Sequence, residues 1–163
     1  MTEMTHSARA KVTLPADDEL LITREFAAPP HLVYRAWTTP ELVAKWWHAH
    51  RGEIVSIDID LRVGGAWRYV MTAAGGFEVA FHGEYREIVP DRRLVTTEIF
   101  EGAPDAVAVT TATFTGIGDD RTRLEIHVKH SSKLARDMHL ESGMEDGLQD
   151  ALALVDALLA SSQ

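Results

Sequence analysis

A long run of two-residue periodicity between Arg51 and Lys129, followed by one extended amphipathic stretch, limits what this chain can fold into more than any other feature. Val55, Ile57, Ile59 and Leu61 alternate with Ser56, Asp58 and Asp60, the pattern of a half-buried strand. Gly64-Gly65 turns the chain, and Trp67, Tyr69 and Met71 then alternate with Arg68 and Val70. Gly75-Gly76 makes a second turn. Phe77, Val79, Phe81 and Tyr85 follow on one parity, with Glu78, His82, Glu84 and Arg86 on the other. Pro90-Asp91 leads into Leu94–Phe100, Gly102-Ala103-Pro104-Asp105 into Val107–Thr115, and Gly118-Asp119-Asp120 into a strand carrying Leu124, Ile126 and Val128. Consecutive strands joined by such short turns predict an antiparallel meander of six strands. From Gly143 to Ala160 the period lengthens: Met144, Leu148, Leu152, Val155 and Leu159 form one helical stripe, widened by Leu158. A lone helix cannot bury that stripe. The concave face of a curved sheet can, and large aromatics between the two layers leave an apolar pocket there.

The segment before the meander supplies the remaining elements. Val12 and Leu14, the turn-rich Pro15-Ala16-Asp17-Asp18 and the strand Leu20–Phe26 suggest a hairpin within residues 12–28. Ala28-Pro29-Pro30 ends that strand and opens a helix, in which Leu32 with Ala36 and Val33 with Trp37 repeat at i,i+4. Thr39-Pro40 restarts a second short helix, with Thr39 as N-cap; there Leu42 with Trp46 and Val43 with Trp47 repeat the spacing. Ser131 to Leu140 reads as a short helix or an ordered loop, with Ser131-Ser132-Lys133 as a helix cap. Residues 1 to about 10 and Ser161-Ser162-Gln163 read as frayed ends. The expected fold class is α+β, a curved antiparallel sheet wrapped around a long C-terminal helix, in a single domain over residues 1–163.

A chain of 163 residues suits one domain, and at this size folding buries roughly 70% of the unfolded surface. The absence of cysteine excludes disulfides, thiolate catalysis and Cys-based zinc sites. A net charge of -9 argues against nucleic acid and anionic membranes as partners, since both are bound through Lys and Arg. No segment has the roughly 20 apolar residues of a membrane span, and Met1–Lys11 lacks a signal-peptide core. A cytoplasmic address is the expectation.

Several segments together resemble the START-like, or SRPBCC, superfamily with its helix-grip fold. They are Arg24-Glu-Phe26-Ala-Ala-Pro29, Val33-Tyr-Arg-Ala-Trp37-Thr-Thr-Pro40-Glu-Leu42, Trp46-Trp47, Asp60-Leu-Arg-Val-Gly64-Gly65-Ala-Trp67-Arg68, Gly83-Glu-Tyr85-Arg-Glu-Ile-Val-Pro90, Arg93-Leu94 and Gly143-Met-Glu-Asp-Gly-Leu148. The nearer resemblance is to the branch named for the C-terminal domain of the co-chaperone that activates the heat shock protein 90 ATPase. The resemblance spans about residues 20 to 160. It implies a shape and leaves the activity open, because this fold hosts lipid carriers, receptors and cyclases. His48-Ala49-His50 stands where the family often continues with Gly-Pro.

All four tryptophans fall between positions 37 and 67. Trp37 and Trp47 are expected to anchor helices to the sheet, and Trp46 is open between core and wall. Trp46, Trp67, Tyr69, Met71, Phe77, Phe81, Tyr85, Glu98, Met144 and Leu148 are the expected ligand-binding residues, each weighed against plain core packing. Glu98 shares parity with Leu94 and Thr96; facing inward it would be a buried carboxylate, with a pairing to Arg68 or another Arg as the preferred account. His48 and His50 would project together if extended, but no third ligand is assured, so neither metal nor cofactor is expected. His82, His127 and His130 read as surface residues. No nucleophile elbow, zincin motif or phosphate-cradling loop occurs, and no catalytic residue is assigned. The leading expectation is binding of a small hydrophobic or aromatic molecule, with a homodimer left open. The alternatives are a cyclase or aromatase, marked by a buried ionisable group facing the void, and a co-chaperone-like interaction module, ranked last.

Overall fold

The computed structural model describes residues 9–161. Strands β1 (Lys11–Thr13) and β2 (Glu19–Phe26) precede helices α1 (Pro30–Thr38) and α2 (Pro40–Val43). Six strands follow: β3 (Gly52–Ile59), β4 (Ala66–Ala73), β5 (Glu78–Val89), β6 (Arg93–Phe100), β7 (Val107–Gly116) and β8 (Thr122–Lys129). Helices α3 (Lys133–Glu141) and α4 (Met144–Ser161) complete the chain. All strand pairs are antiparallel, in one curved eight-stranded sheet of order β1-β2-β8-β7-β6-β5-β4-β3. The meander and the hairpin thus join where β2 pairs with β8. Among the described residues no helix is long and apolar enough to cross a membrane.

The two proline breaks act through backbone geometry. Pro29 is extended (φ -70, ψ 158) and Pro30 takes the first helical position, where a missing N–H costs nothing. Thr39 precedes Pro40 and is held extended (φ -106, ψ 117), which stops α1 and starts α2. Its side chain makes no cap bond; its carbonyl accepts from the N–H groups of Leu42 and Val43 instead. Ser132 does cap α3, accepting from the Ala135 N–H at 3.0 Å.

In β3 the simple alternation fails. The register shifts between Ile54 and Ser56, so Ile57 and Ile59 pack on the core while Val55 is 57% exposed. Leu61 lies past the strand end and is also exposed.

Helix α4 buries Ala151, Leu152, Val155 and Leu159 in one cluster with Phe26, Val33, Phe114 and Leu124. Full burial of such side chains stabilises by roughly 1.5–3 kcal/mol each. Polar ties fix the helix along its length. The buried Arg24 reaches Asp156 at 3.3 Å and lies 4.6 Å from the Phe26 ring centroid. Gln149 exchanges two hydrogen bonds of 2.9 Å with the backbone of Ala10. Ala10 is therefore buried, not frayed; the rest of the expected frayed N-terminus, up to residue 8, and residues 162–163 lie outside the described residues, while Ser161 ends α4.

Candidate functional site

Between α4 and the concave sheet lies a cavity of about 500 Å³. Helix α1 contributes Trp37 and the turn after α2 Trp46 and Trp47; β4 contributes Trp67, Tyr69 and Met71; β5 contributes Phe81 and Tyr85. Leu94, Thr96 and Glu98 of β6 and Thr110 and Ala112 of β7 form the floor, and Met144, Leu148 and Leu152 of α4 the roof. Of the expected ligand-binding residues, Phe77 alone is absent from this wall. It lies in the turn before β5 and is 61% exposed, its inward parity cut off where the strand begins. Trp37 and Trp47, expected as packing anchors only, also face the cavity.

The aromatic walls are locked by ring contacts and by indole hydrogen bonds. Trp47 meets Tyr69 edge-on at 5.4 Å and Phe81 at 5.8 Å, and Trp67 lies 4.8 Å from Tyr69. Trp46 stacks on Trp37 at 4.6 Å and donates Nε1–H to the Ala36 carbonyl at 3.0 Å. Trp67 donates Nε1–H across β5 to the Thr97 carbonyl of β6, at 3.1 Å. Gly83, its β5 partner, makes this reach possible: a Cβ there would fall 2.6 Å from Trp67 Nε1 and collide with the Thr97 carbonyl oxygen. The indole therefore lies across the space a side chain would fill, held one residue from Glu98.

Glu98 lies deep within the protein but keeps accessible surface, which faces the cavity. Burial raises its pKa, opposed only by the Thr110 hydroxyl, which donates to Oε1 at 3.5 Å. The expected pairing with Arg68 does not occur. Arg68 has the opposite parity to Trp67 and Tyr69 and binds Glu101 through two contacts of 2.9 Å. Burial likewise raises the phenol pKa values of Tyr69 and Tyr85; Tyr85 adds to the effect on Tyr69, as does the nearby Glu98.

One end of the cavity opens between the loop after α2 and the start of α4. Ala49 and His50 adopt left-handed conformations (φ 51 and 62), so the segment turns where an extended path was expected. His50 donates its N–H to His48 Nδ1 at 3.0 Å; His48 lines the cavity and His50 is exposed. Arg51 straps the opening, donating to the Ala49 carbonyl at 2.6 Å and to Asp150 at 2.8 Å. His139 of α3 also lines this end, and its Nδ1 meets Nε2 of His130 at 3.0 Å. His130 is thus part-buried, contrary to its surface reading; His127 binds Glu19 and His82 binds Glu101, each at 2.8 Å. Among the described residues no three His, Asp or Glu side chains gather as a metal site. Thr96, Thr110, Arg51 and His139 had no sequence signal, because ordinary strand threonines and a helix histidine gain meaning only from packing.

The sequence pattern of the family described as Activator of Hsp90 ATPase homolog 1-like protein matches residues 27–160. A crystal structure of a protein from Chromobacterium violaceum is 30% identical, covers 85% of this chain and 98% of its own, and superposes with a TM-score of 0.72. One from Mycobacterium smegmatis is 28% identical over 94% of this chain and 98% of its own, with a TM-score of 0.81. A Rhodobacter sphaeroides protein, 24% identical over 94% of this chain and 99% of its own, shares the fold at a TM-score of 0.87. No curated protein matches the chain.

Proposed function

This chain belongs to the family of Activator of Hsp90 ATPase homolog 1-like proteins, and on that premise we propose that it binds a small, largely apolar or aromatic molecule between α4 and the sheet. The observation that carries this reading is the wall itself: all four tryptophans surround one cavity of about 500 Å³. That volume falls within the range of roughly 300–1,000 Å³ common for ligand pockets. A close-packed interior leaves few voids larger than a water molecule, so a cavity of this size is not ordinary core. A ligand burying on the order of 200 Å² of apolar surface gains about 5 kcal/mol before the costs of association.

The test uses the tryptophans as reporters. Titration with the neutral hydrophobic probe N-phenylnaphthylamine should quench the intrinsic fluorescence, with saturation at one probe per chain. Leu148→Arg places a long cation in the roof and should abolish the quench while leaving the far-ultraviolet circular dichroism of the sheet unchanged. An unquenched wild type across a panel of such probes defeats the reading.

A second reading has one observation in its favour. Glu98 is an ionisable group facing the void, as a cyclase or aromatase would need to move protons within a bound polyketone. Turnover of such a substrate by the wild type and its loss in Glu98→Gln would favour that reading.

A further inference from the structure

We propose that the occupant of the cavity is an organic amine, an aromatic body whose ammonium sits between the Glu98 carboxylate and the face of Trp67. This rests on the binding reading above and adds the chemical class of the ligand. Three features converge. First, Glu98 is a carboxyl group that no cation among the described residues is seen to pair with. Arg68 is engaged by Glu101 across the sheet, and Arg51 is held at the mouth by Ala49 and Asp150. A buried carboxylate without a counter-ion is costly, and an arriving ammonium would supply one.

Second, the carboxyl group shares its cavity with an aromatic wall. The Trp67 indole is fixed by its bond to the Thr97 carbonyl and spread over Gly83, and Tyr69 and Trp47 continue the same wall. Indole is the strongest cation–π partner among the side chains, and its attraction grows in a desolvated site. Third, the wall already offers hydroxyl donors in Thr96, Tyr69 and Tyr85. A ligand carrying only a carbonyl or ether oxygen would be served by these without a carboxyl group. A net charge of -9 also favours the approach of cations to this chain.

The experiment compares two ligands of matched shape, naphthylmethylamine and naphthylmethanol, by tryptophan quenching and calorimetry at about pH 7.5, where the amine is cationic. In the wild type the amine should bind at least ~10-fold more tightly than the alcohol, a difference of about 1.4 kcal/mol. In Glu98→Gln the preference should fall to within about 2-fold, with an unchanged far-ultraviolet circular dichroism spectrum reporting that the variant is folded. With the wild type alone, amine affinity should weaken as pH is lowered from about 7.5 to about 5, as the proton competes for Glu98, and alcohol affinity should hold. Equal binding of the two ligands, a preference that survives Glu98→Gln, or an amine affinity flat with pH overturns this inference and leaves the binding reading standing. Binding of neither overturns this inference, and it overturns the binding reading as well when N-phenylnaphthylamine also fails to quench the wild type.

Discussion

Glu98 and Glu101 lie three positions apart at one end of β6, and their surroundings drive them in opposite directions. The half-buried Glu101 is held down to about 2 by Arg68 and by His82. The enclosed Glu98 is driven up by burial. The difference follows from which side of the sheet each faces. The shared parity of Glu98 with Leu94 and Thr96 was legible, but the apolar Val95 and Ile99 on the other parity left open which face was internal; the expected Arg68 pairing failed because Arg68 alternates outward with Glu101. A group whose folded pKa exceeds its unfolded value loses stabilisation as pH rises through the folded value. Ionisation of Glu98 therefore weakens the fold toward neutral pH, and glutamine, which cannot ionise, escapes that loss. Glu98→Gln should match the wild type in melting temperature near about pH 4 and exceed it near about pH 7.5, with each 1 kcal/mol worth about 2–4 °C in a chain this long. Circular dichroism melts at the two pH values measure the difference. A gain that is equal at both would assign it to packing instead of charge.

At the level of elements, periodicity gave the strands, the long helix and the proline breaks, because each is written in local spacing. It missed the β3 bulge, where the register shift depends on the pairing with β4, and it left residues 131–140 between helix and loop. What seats α3 is a contact between distant parts of the chain. His139 meets His130, the residue just past β8, while the buried Arg136 donates to the Ala16 carbonyl before β2. Burial, followed by the neighbouring His130, lowers the His139 pKa to about 4. His130 is shifted the same way by burial and by Arg136, against an opposing pull from Asp18. A folded pKa below the unfolded value of about 6.5 means that the unfolded chain takes up the proton first. This contribution to stability is thus complete above about pH 6.5 and is lost toward about pH 4, on the order of 3 kcal/mol at most, since the cavity lets solvent reach the ring. His139→Asn keeps a polar side chain near His130 but does not titrate. Its melting temperature should fall less than that of the wild type between about pH 6.5 and about pH 4.5, the carboxylates common to both cancelling in the comparison. Parallel curves would show that the pair opens without cost.

Taken as a whole, the molecule is a sheet and a helix kept apart by their own aromatic side chains. The sequence revealed that arrangement as two incompatible periods that had to be packed together, with tryptophans clustered in the stretch between the first helices and β4. It did not reveal that all four tryptophans reach the same void. Trp37 sits on α1 and Trp47 in the turn that follows α2, on either side of the extended Thr39, and both line the void. An internal cavity weakens a fold because its lining lacks contacts that a packed core would make. A ligand that fills it must therefore raise the stability of the whole chain. If only the native state binds, saturation at about 100 times Kd adds roughly 2.7 kcal/mol. For this length that corresponds to a rise in melting temperature of roughly 5–10 °C. N-phenylnaphthylamine should produce a rise of this size in the wild type, growing with the logarithm of its concentration, and none in Leu148→Arg. The loss of the response in Leu148→Arg is the decisive part, since binding to exposed patches such as Leu134 and Met138 of α3 would leave the Leu148→Arg response equal to that of the wild type. Equal responses in the two proteins would place the probe outside the cavity and remove the basis for a ligand beneath α4.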